Sequence, residues 1–306
     1  MIKETDIISI ADLSRDEIET ILSLAQKIKE GKVSPSLKGK ILATLFFEAS
    51  TRTRLSFEAA MHKLGGSVIG FSEPKKTSAE KGETLADAIR VVSSYADALV
   101  IRHPLEGAAR LSADVADIPV INAGDGAREH PTQTLLDLFS IKECQGKLND
   151  LKIACVGDLR HGRTAHSLAI ASGLFNMRLF FVAPQSLTIP AHITHQLKVR
   201  GVKYSFHTTI EEVLPKIDIL YMIRTQKERF EDGKEYAKYK KAYCVTPELL
   251  KEAKKNLRIL HPLPRVCEID SRIDSTPYAY YFEQAANGLY VRQAVLSLIM
   301  GGVSSD

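Results

Sequence analysis

The chain has 306 residues, 44% hydrophobic and 25% charged, the balance of a globular protein with room for one large domain or two ordinary ones. Its net charge of +4 is mild and no lysine- or arginine-rich block occurs, so nucleic acid is not an expected partner. No stretch approaches the ~18–20 apolar residues of a membrane span and the N-terminus has no charged-then-apolar leader; Cys144, Cys155, Cys244 and Cys267 lack paired metal-ligand spacing and read as reduced thiols of a cytoplasmic protein.

The first apolar run, Ile41–Phe47, reads as a buried strand, and from Phe57 the apolar residues Ala60, Met61 and Leu64 follow at helical spacing until Gly65-Gly66. Between strand and helix lies "EASTRTR". Ser50 or Thr51 suits the N-cap, which puts Arg52 and Arg54 in the first helical turn, where the dipole disfavours each cation by roughly 0.3–1 kcal/mol. A bound anion explains that cost. The unpaired N–H groups of a helix start, the hydroxyls of Ser50, Thr51 and Thr53, and an arginine fork together make a phosphate site.

Further strands are expected at Val68–Phe71, Leu99–Ile101 and Val120–Asn122. After "NDLK" come Ile153–Val156, Leu179–Val182, Val202–Phe206, Ile217–Met222 and Arg258–Leu260. Helical patterns sit between most of them, one carrying Leu85, Ile89 and Val92, another Leu168, Ala171 and Leu174. A long helix is expected from Pro131 to about Glu143, and an amphipathic one runs from Tyr290 through Ile299. Strand–helix alternation predicts an α/β chain of two domains, each a parallel sheet with helices on both faces. The expected division is 1–132 and 133–285, with a C-terminal helix, 286–306, packing back on the first domain.

Ligands of open α/β sheets bind beyond the carboxyl ends of the strands. Here nearly every expected strand ends in arginine, histidine, glutamine or hydroxyl groups: "EASTRTR", then "SEPKKTSAEKGE", "RHP", "AGDGAREHPTQ", "GDLRHGRT", "RTQKER" and "HPLPR". Ordinary surface loops would be richer in acids and lysines.

"STRTRLSFE", "RHP", "HPTQTLLDLF", "VGDLRHGRT", "LYMIRTQKER" and "HPLPR" occur in order, and with "IISIADLSRDEI" and "ANGLYVRQAVL" at the two ends they cover essentially the whole chain. This set resembles the transcarbamoylase family, and within it the branch that acts on aspartate. The resemblance implies that Ser50, Thr51, Arg52 and Thr53 hold the phosphate of carbamoyl phosphate. Thr53, Arg102 and His130 would contact the carbamoyl oxygen, and Gln133 and the Leu263 backbone its NH2 group. Arg163, Arg224 and Gln226 would take the carboxylates of L-aspartate. Ser78 and Lys81 would be supplied by a neighbouring subunit of a homotrimer, in a loop slightly short against the family pattern. Neither metal nor organic cofactor is implied, and a separate regulatory chain is a candidate partner. Glu48 has no ligand among two anions; Arg163 and Arg229 are its expected partners, in a contact that would close the domains.

Two other readings fit less well. "GDLRHGRT" nearly matches a phosphate-binding G-x-x-x-x-G-K-[ST] loop, but Arg163 replaces the lysine, and no G-x-G-x-x-G follows a strand. Ornithine transfer would call for His-Cys-Leu-Pro and Ser-Met-Gly segments; here "HPLP" and "IRTQ" stand instead, and Arg163 and Arg224 would repel an ammonium side chain.

Overall fold

The computed structural model describes residues 5–72, 82–225 and 243–303. The chain forms two compact units, one of residues up to Leu136 together with those from Ala286 on, the other Asp137–Ala285. Each is built on a wholly parallel sheet. In the first, β1 (Ile41–Phe46), β2 (Ser67–Phe71), β3 (Ala98–His103) and β4 (Val120–Asp125) lie in the order β2-β1-β3-β4. In the second, β5 (Lys152–Gly157), β6 (Arg178–Val182), β7 (Tyr204–His207), β8 (Ile219–Ile223) and β9 (Arg258–Leu260) lie in the order β7-β6-β5-β8-β9. All nine expected strands are present, several with shifted ends. β4 runs on to Asp125 because Asp125 pairs with His103 beyond a shift in register, where Gly124 takes φ +119°.

The helices among the described residues are α1 (Arg15–Lys29), α2 (Thr51–Lys63), α3 (Leu85–Ser93), α4 (Ala108–Val115), α5 (Pro131–Gln145), α6 (Arg163–Ser172), α7 (Ala191–Val199) and α8 (Tyr281–Ile299). α1 opens with a reciprocal cap between Ser14 and Glu17 and ends in Lys27 and Lys29, both favourable to the helix dipole. Leu174, expected within α6, falls instead in a 3-10 turn, Gly173–Phe175. Alternate residues of the central strands fill the cores: Ala43, Leu45, Leu99 and Ile101 in the first unit, Ala154, Val156, Leu220 and Met222 in the second. The last helix is fastened to the first unit by Arg292, which is 3% exposed, lies 5.0 Å over the ring of Phe57 and donates to Ser56 Oγ at 3.0 Å, both on α2.

The segment before α1 extends the first sheet. Ile7 bridges to Ile121 in parallel, and Asn122 Nδ2 donates to the carbonyl of Ile8 at 2.9 Å. Buried acids then shape the turn after β4. Asp125 accepts from Asn122 Nδ2 at 3.1 Å and from the N–H of Gly107 at 3.0 Å. Glu129 accepts from Ser9 Oγ at 2.7 Å and from the N–H of Ile10 at 3.0 Å. Burial raises the Glu129 pKa above the usual carboxylate range, although these hydrogen bonds and Arg128 oppose it. Such a carboxyl binds its proton more tightly in the folded than in the unfolded chain. Its contribution is therefore fully present below the unfolded pKa of ~4.3 and is lost as pH rises through the folded value. Glu129→Gln keeps an acceptor for Ile10 and a polar partner for Ser9 without the charge. The parent is expected to lose stability relative to this variant as pH rises above ~4.3, as read by urea denaturation at several pH values. A difference independent of pH would contradict the account.

Candidate active site

The strand order of each sheet reverses once. In the first, the chain leaves β1 for β2 on one side and reaches β3 and β4 on the other. In the second, β6 and β7 lie to one side of β5, and β8 and β9 to the other. At such a reversal the connecting loops diverge and leave a crevice beyond the carboxyl ends of the strands. Of the expected site residues among those described, Ser50–Thr53 and Arg102 lie at the ends of the strands flanking this reversal in the first unit, and Arg163 and Arg224 follow the corresponding strands in the second.

In the first unit the reversal lies between β1 and β3, where Phe46 stands beside Arg102. Ser50 is the N-cap residue of α2, but its side chain makes no capping bond. Thr51 and Arg52 follow, exposed at the helix start, whereas Thr53 is only 7% exposed. Arg54 is a different case. Its Nε lies 2.6 Å from Glu58 Oε1, one turn along the same helix, an ordinary surface-helix ion pair. Arg54 is thus committed along its own helix, and the phosphate role implied by the resemblance falls on Arg52 alone of the two.

Arg102 is the penultimate residue of β3, with its side chain 11% exposed. Its Nη1 donates to the carbonyl of Ala123 on β4 at 3.1 Å, and its Nε lies 3.2 Å from Glu48 Oε2. The N–H groups of Phe47 and Glu48 both donate to the Arg102 carbonyl, at 2.8 and 3.3 Å, so the backbone itself sets these side chains next to each other. Glu48 thus has Arg102 of its own unit beside it, a pairing across two adjacent parallel strands that leaves no periodic signal in the sequence; Arg229, one of its expected partners, lies outside the described residues. His130, 4% exposed, sits at the turn braced by Asp125 and Glu129 and its carbonyl accepts the N–H of Gln133 at 3.0 Å, the first bond of α5. Gln133 is 8% exposed in that turn. Neighbouring strands β1, β3 and β4 thus present Ser50–Thr53, Arg102 and His130 at one sheet end. His103, by contrast, is structural: its Nδ1 accepts the N–H of Leu105 at 3.0 Å, its ring packs on Phe47, and burial lowers its pKa.

In the second unit the reversal lies between β5 and β8, where Gly157 stands beside Ile223. Gly157 has φ +119°, and a Cβ there would come within 2.0 Å of the Ile223 carbonyl oxygen; at Gly162 it would lie 2.6 Å from the oxygen of Asp158. The glycines of "GDLRHG" therefore answer to close backbone packing. Asp158, fully buried, accepts from the backbone N–H of His161 at 3.1 Å and meets its Nδ1 at the same distance. That turn delivers Arg163 as the first residue of α6, half-buried. Arg224, also half-buried, follows β8 directly. After β9, Leu263 adopts φ +54°, a left-handed conformation that a leucine holds only where its surroundings impose it. Its N–H donates to His261 Nδ1 at 2.8 Å. Burial, assisted by the charges of Arg224 and Arg265, lowers the His261 pKa against the pull of Glu268. Gln226, Arg229, Ser78 and Lys81 lie outside the described residues.

Sequence reasoning missed the residues that shape these loops: Asp125, Glu129, Asp158, His261 and Glu268. The acids are buried and paired, and burial of a polar side chain is not readable from a single sequence. For His261 a signal existed, its place two residues before Leu263 in "HPLP".

Family models match both parts of the chain: the carbamoyl-P binding domain of aspartate/ornithine carbamoyltransferase over residues 5–143, and the Asp/Orn binding domain over 149–299. The chain is 55% identical over 302 residues to an aspartate carbamoyltransferase catalytic subunit 2 of Shewanella halifaxensis, covering 98% of this chain and 97% of that one. Among solved structures, the catalytic subunit of M. jannaschii aspartate transcarbamoylase superposes with a TM-score of 0.89 at 46% identity, covering 99% of this chain and 100% of that one. The Trypanosoma cruzi aspartate transcarbamoylase, in complex with N-(phosphonacetyl)-L-aspartic acid, gives 0.90 at 40% identity, covering 97% and 96%. The chain belongs to the aspartate/ornithine carbamoyltransferase family, on its aspartate carbamoyltransferase catalytic-chain side.

Proposed function

We infer that the chain transfers the carbamoyl group of carbamoyl phosphate to the α-amine of L-aspartate, giving N-carbamoyl-L-aspartate and phosphate. The observation that carries this reading is the pair of donor clusters at the reversal points of the two sheets, in a chain whose relatives are catalytic subunits for that reaction. The T. cruzi relative has been solved with carbamoyl phosphate and aspartate together, and with carbamoyl aspartate and phosphate. Ornithine as acceptor has no such support, and Arg163 and Arg224 suit a dicarboxylate.

In this reading the first unit holds carbamoyl phosphate. The α2 N-terminus, with Ser50, Thr51, Arg52 and Thr53, takes the phosphate. The second unit takes the two aspartate carboxylates on Arg163, Arg224 and Gln226. The free amine attacks the carbamoyl carbon and negative charge builds on the carbonyl oxygen. Thr53, Arg102 and His130 donate to that oxygen; losing one such donor costs on the order of 10²–10³ in rate. Gln133 and the carbonyl of Leu263 hold the NH2 group. The C–O bond to phosphate then breaks, and the departing phosphate accepts the proton of the attacking amine. The rest of the acceleration is positioning of two anions that repel each other in water. No step calls for a metal or organic cofactor.

Phosphate release from carbamoyl phosphate, measured with aspartate and with ornithine, tests the activity. Release with aspartate alone is expected, and release with ornithine alone would contradict it. Arg224→Ala should raise the aspartate KM by more than about tenfold and leave carbamoyl phosphate affinity within about twofold, since a charge-assisted hydrogen bond contributes roughly 1.5–3 kcal/mol to its own ligand only. Equal losses for both substrates would contradict the division of labour.

A cyclic homotrimer with shared sites, a place in pyrimidine biosynthesis and a cytoplasmic location complete the proposal. No disulfide joins the four cysteines, and burial pushes the Cys144 and Cys155 thiols up to about 12, as inert reduced thiols would be. A separate regulatory chain is a further candidate partner, given the word "catalytic" in the names of the relatives. In the trimer each site would take Ser78 and Lys81 from the neighbouring subunit. Lys81→Gln and Arg102→Ala chains, each inactive, would be denatured, mixed equally and reassembled. Random assembly should restore about one quarter of sites, because a site needs an intact Arg102 from one chain and an intact Lys81 from its neighbour. Properly reassembled trimers without activity would rule out the shared site.

A further inference from the structure

One buried polar chain in the second unit has no role in the reaction as described so far. His261 is 1% exposed and Glu268 5%. Because His261 Nδ1 accepts the N–H of Leu263 at 2.8 Å, its proton sits on Nε2, which lies 2.8 Å from Glu268 Oε1. The other oxygen of Glu268 accepts the N–H groups of Val266 and Cys267, at 3.1 and 2.9 Å. On the opposite side, the N–H of His261 donates to Gln284 Oε1 at 2.8 Å. Gln284 Nε2 donates to Asp137 at 2.6 Å, and Asp137 accepts the hydroxyl of Tyr221 at 2.7 Å. The chain of bonds runs from β8, three residues before Arg224, to the left-handed backbone of Leu263.

We propose that Glu268 and His261 are a positioning pair: Glu268 fixes the tautomer of His261, His261 holds the Leu263 N–H, and the turn so locked aims the Leu263 carbonyl at the NH2 of the carbamoyl group. The inference rests on the role given to Leu263 under the proposed function. Both oxygens of Glu268 are committed as acceptors, one to the imidazole and one to two backbone N–H groups. A glutamine has a single oxygen and leaves one side facing a donor, so the isosteric substitution breaks the pair. The same turn lies in the hydrogen-bonded frame that carries β8, so the group that recognises the carbamoyl nitrogen and the strand that Arg224 follows share one support.

Acetyl phosphate separates positioning from a general loss of structure, because its methyl group has no N–H to offer the Leu263 carbonyl. At saturating aspartate, Glu268→Gln is expected to lower kcat/KM for carbamoyl phosphate about tenfold, the size of one hydrogen bond, while the inhibition constant of acetyl phosphate moves less than about twofold. His261→Asn is expected to keep the carbamoyl preference within about twofold, since an asparagine oxygen accepts the N–H two residues on without help from Glu268. Should Glu268→Gln not fold, His261→Gln takes its place, because its longer amide reaches toward Glu268 and leaves no acceptor at the Nδ1 position. Equal losses for the two phosphates, or a preference lost as deeply in His261→Asn as in Glu268→Gln, would overturn the pair. A parent chain that makes no N-carbamoyl-aspartate would overturn the activity instead, a result distinct from an active parent whose preference the variants leave unmoved.

Discussion

The reaction joins two anions, and the chain has to bind both. Positive potential has to be supplied without burying bare charge, whose cost would exceed the binding it provides. Parallel sheets meet this by geometry. Helix starts and backbone N–H groups lie at the carboxyl ends of the strands, and each sheet here reverses its order beside such groups: the start of α2 and Arg102 in the first, Arg163 and Arg224 in the second. In the first unit the proposed donors are a helix N-terminus and neutral hydroxyls, with Arg102 steadied by Ala123 and Glu48. The second places Arg163 and Arg224 at half-buried positions, where the guanidinium groups keep part of their hydration.

Holding those loops in place is the work of buried acids. Asp125, Glu129, Asp158 and Glu268 each accept a backbone N–H; Asp158 closes the turn before Arg163, and Glu129, next to His130, ties that loop to the segment before α1. Hydrogen bonds of this kind cost little when complete and much when half made. The consequence is a stiff frame under a polar surface, the condition for an electrostatic site that does not reorganise during reaction.

Much of this was legible in the sequence. Short apolar runs bounded by turn residues located every strand; the central strands, buried on both faces, need no finer pattern, whereas the edge strands β2 and β7 are largely exposed or half-buried. The arginines, histidine and glutamine after those strands stood out because ordinary loops lack them. Strand order was not legible, and with it the coincidence of site and reversal point, because order depends on contacts between distant segments. Nor were the roles of near neighbours separable: Arg52 and Arg54 look alike in "STRTR" until Glu58 is seen beside Arg54. The pairing of Glu48 with Arg102 was hidden for the same reason.

The central claim is that the start of α2 is the phosphate site and that only one of its two arginines serves it. Calorimetric titration of the chain with carbamoyl phosphate, alongside Arg52→Ala and Arg54→Ala, tests this most directly. The account predicts affinity lowered by more than about tenfold for Arg52→Ala and by less than about twofold for Arg54→Ala, a charge-assisted contact against a helix-surface pair. Equal losses in the two variants, or a larger loss in Arg54→Ala, would contradict it.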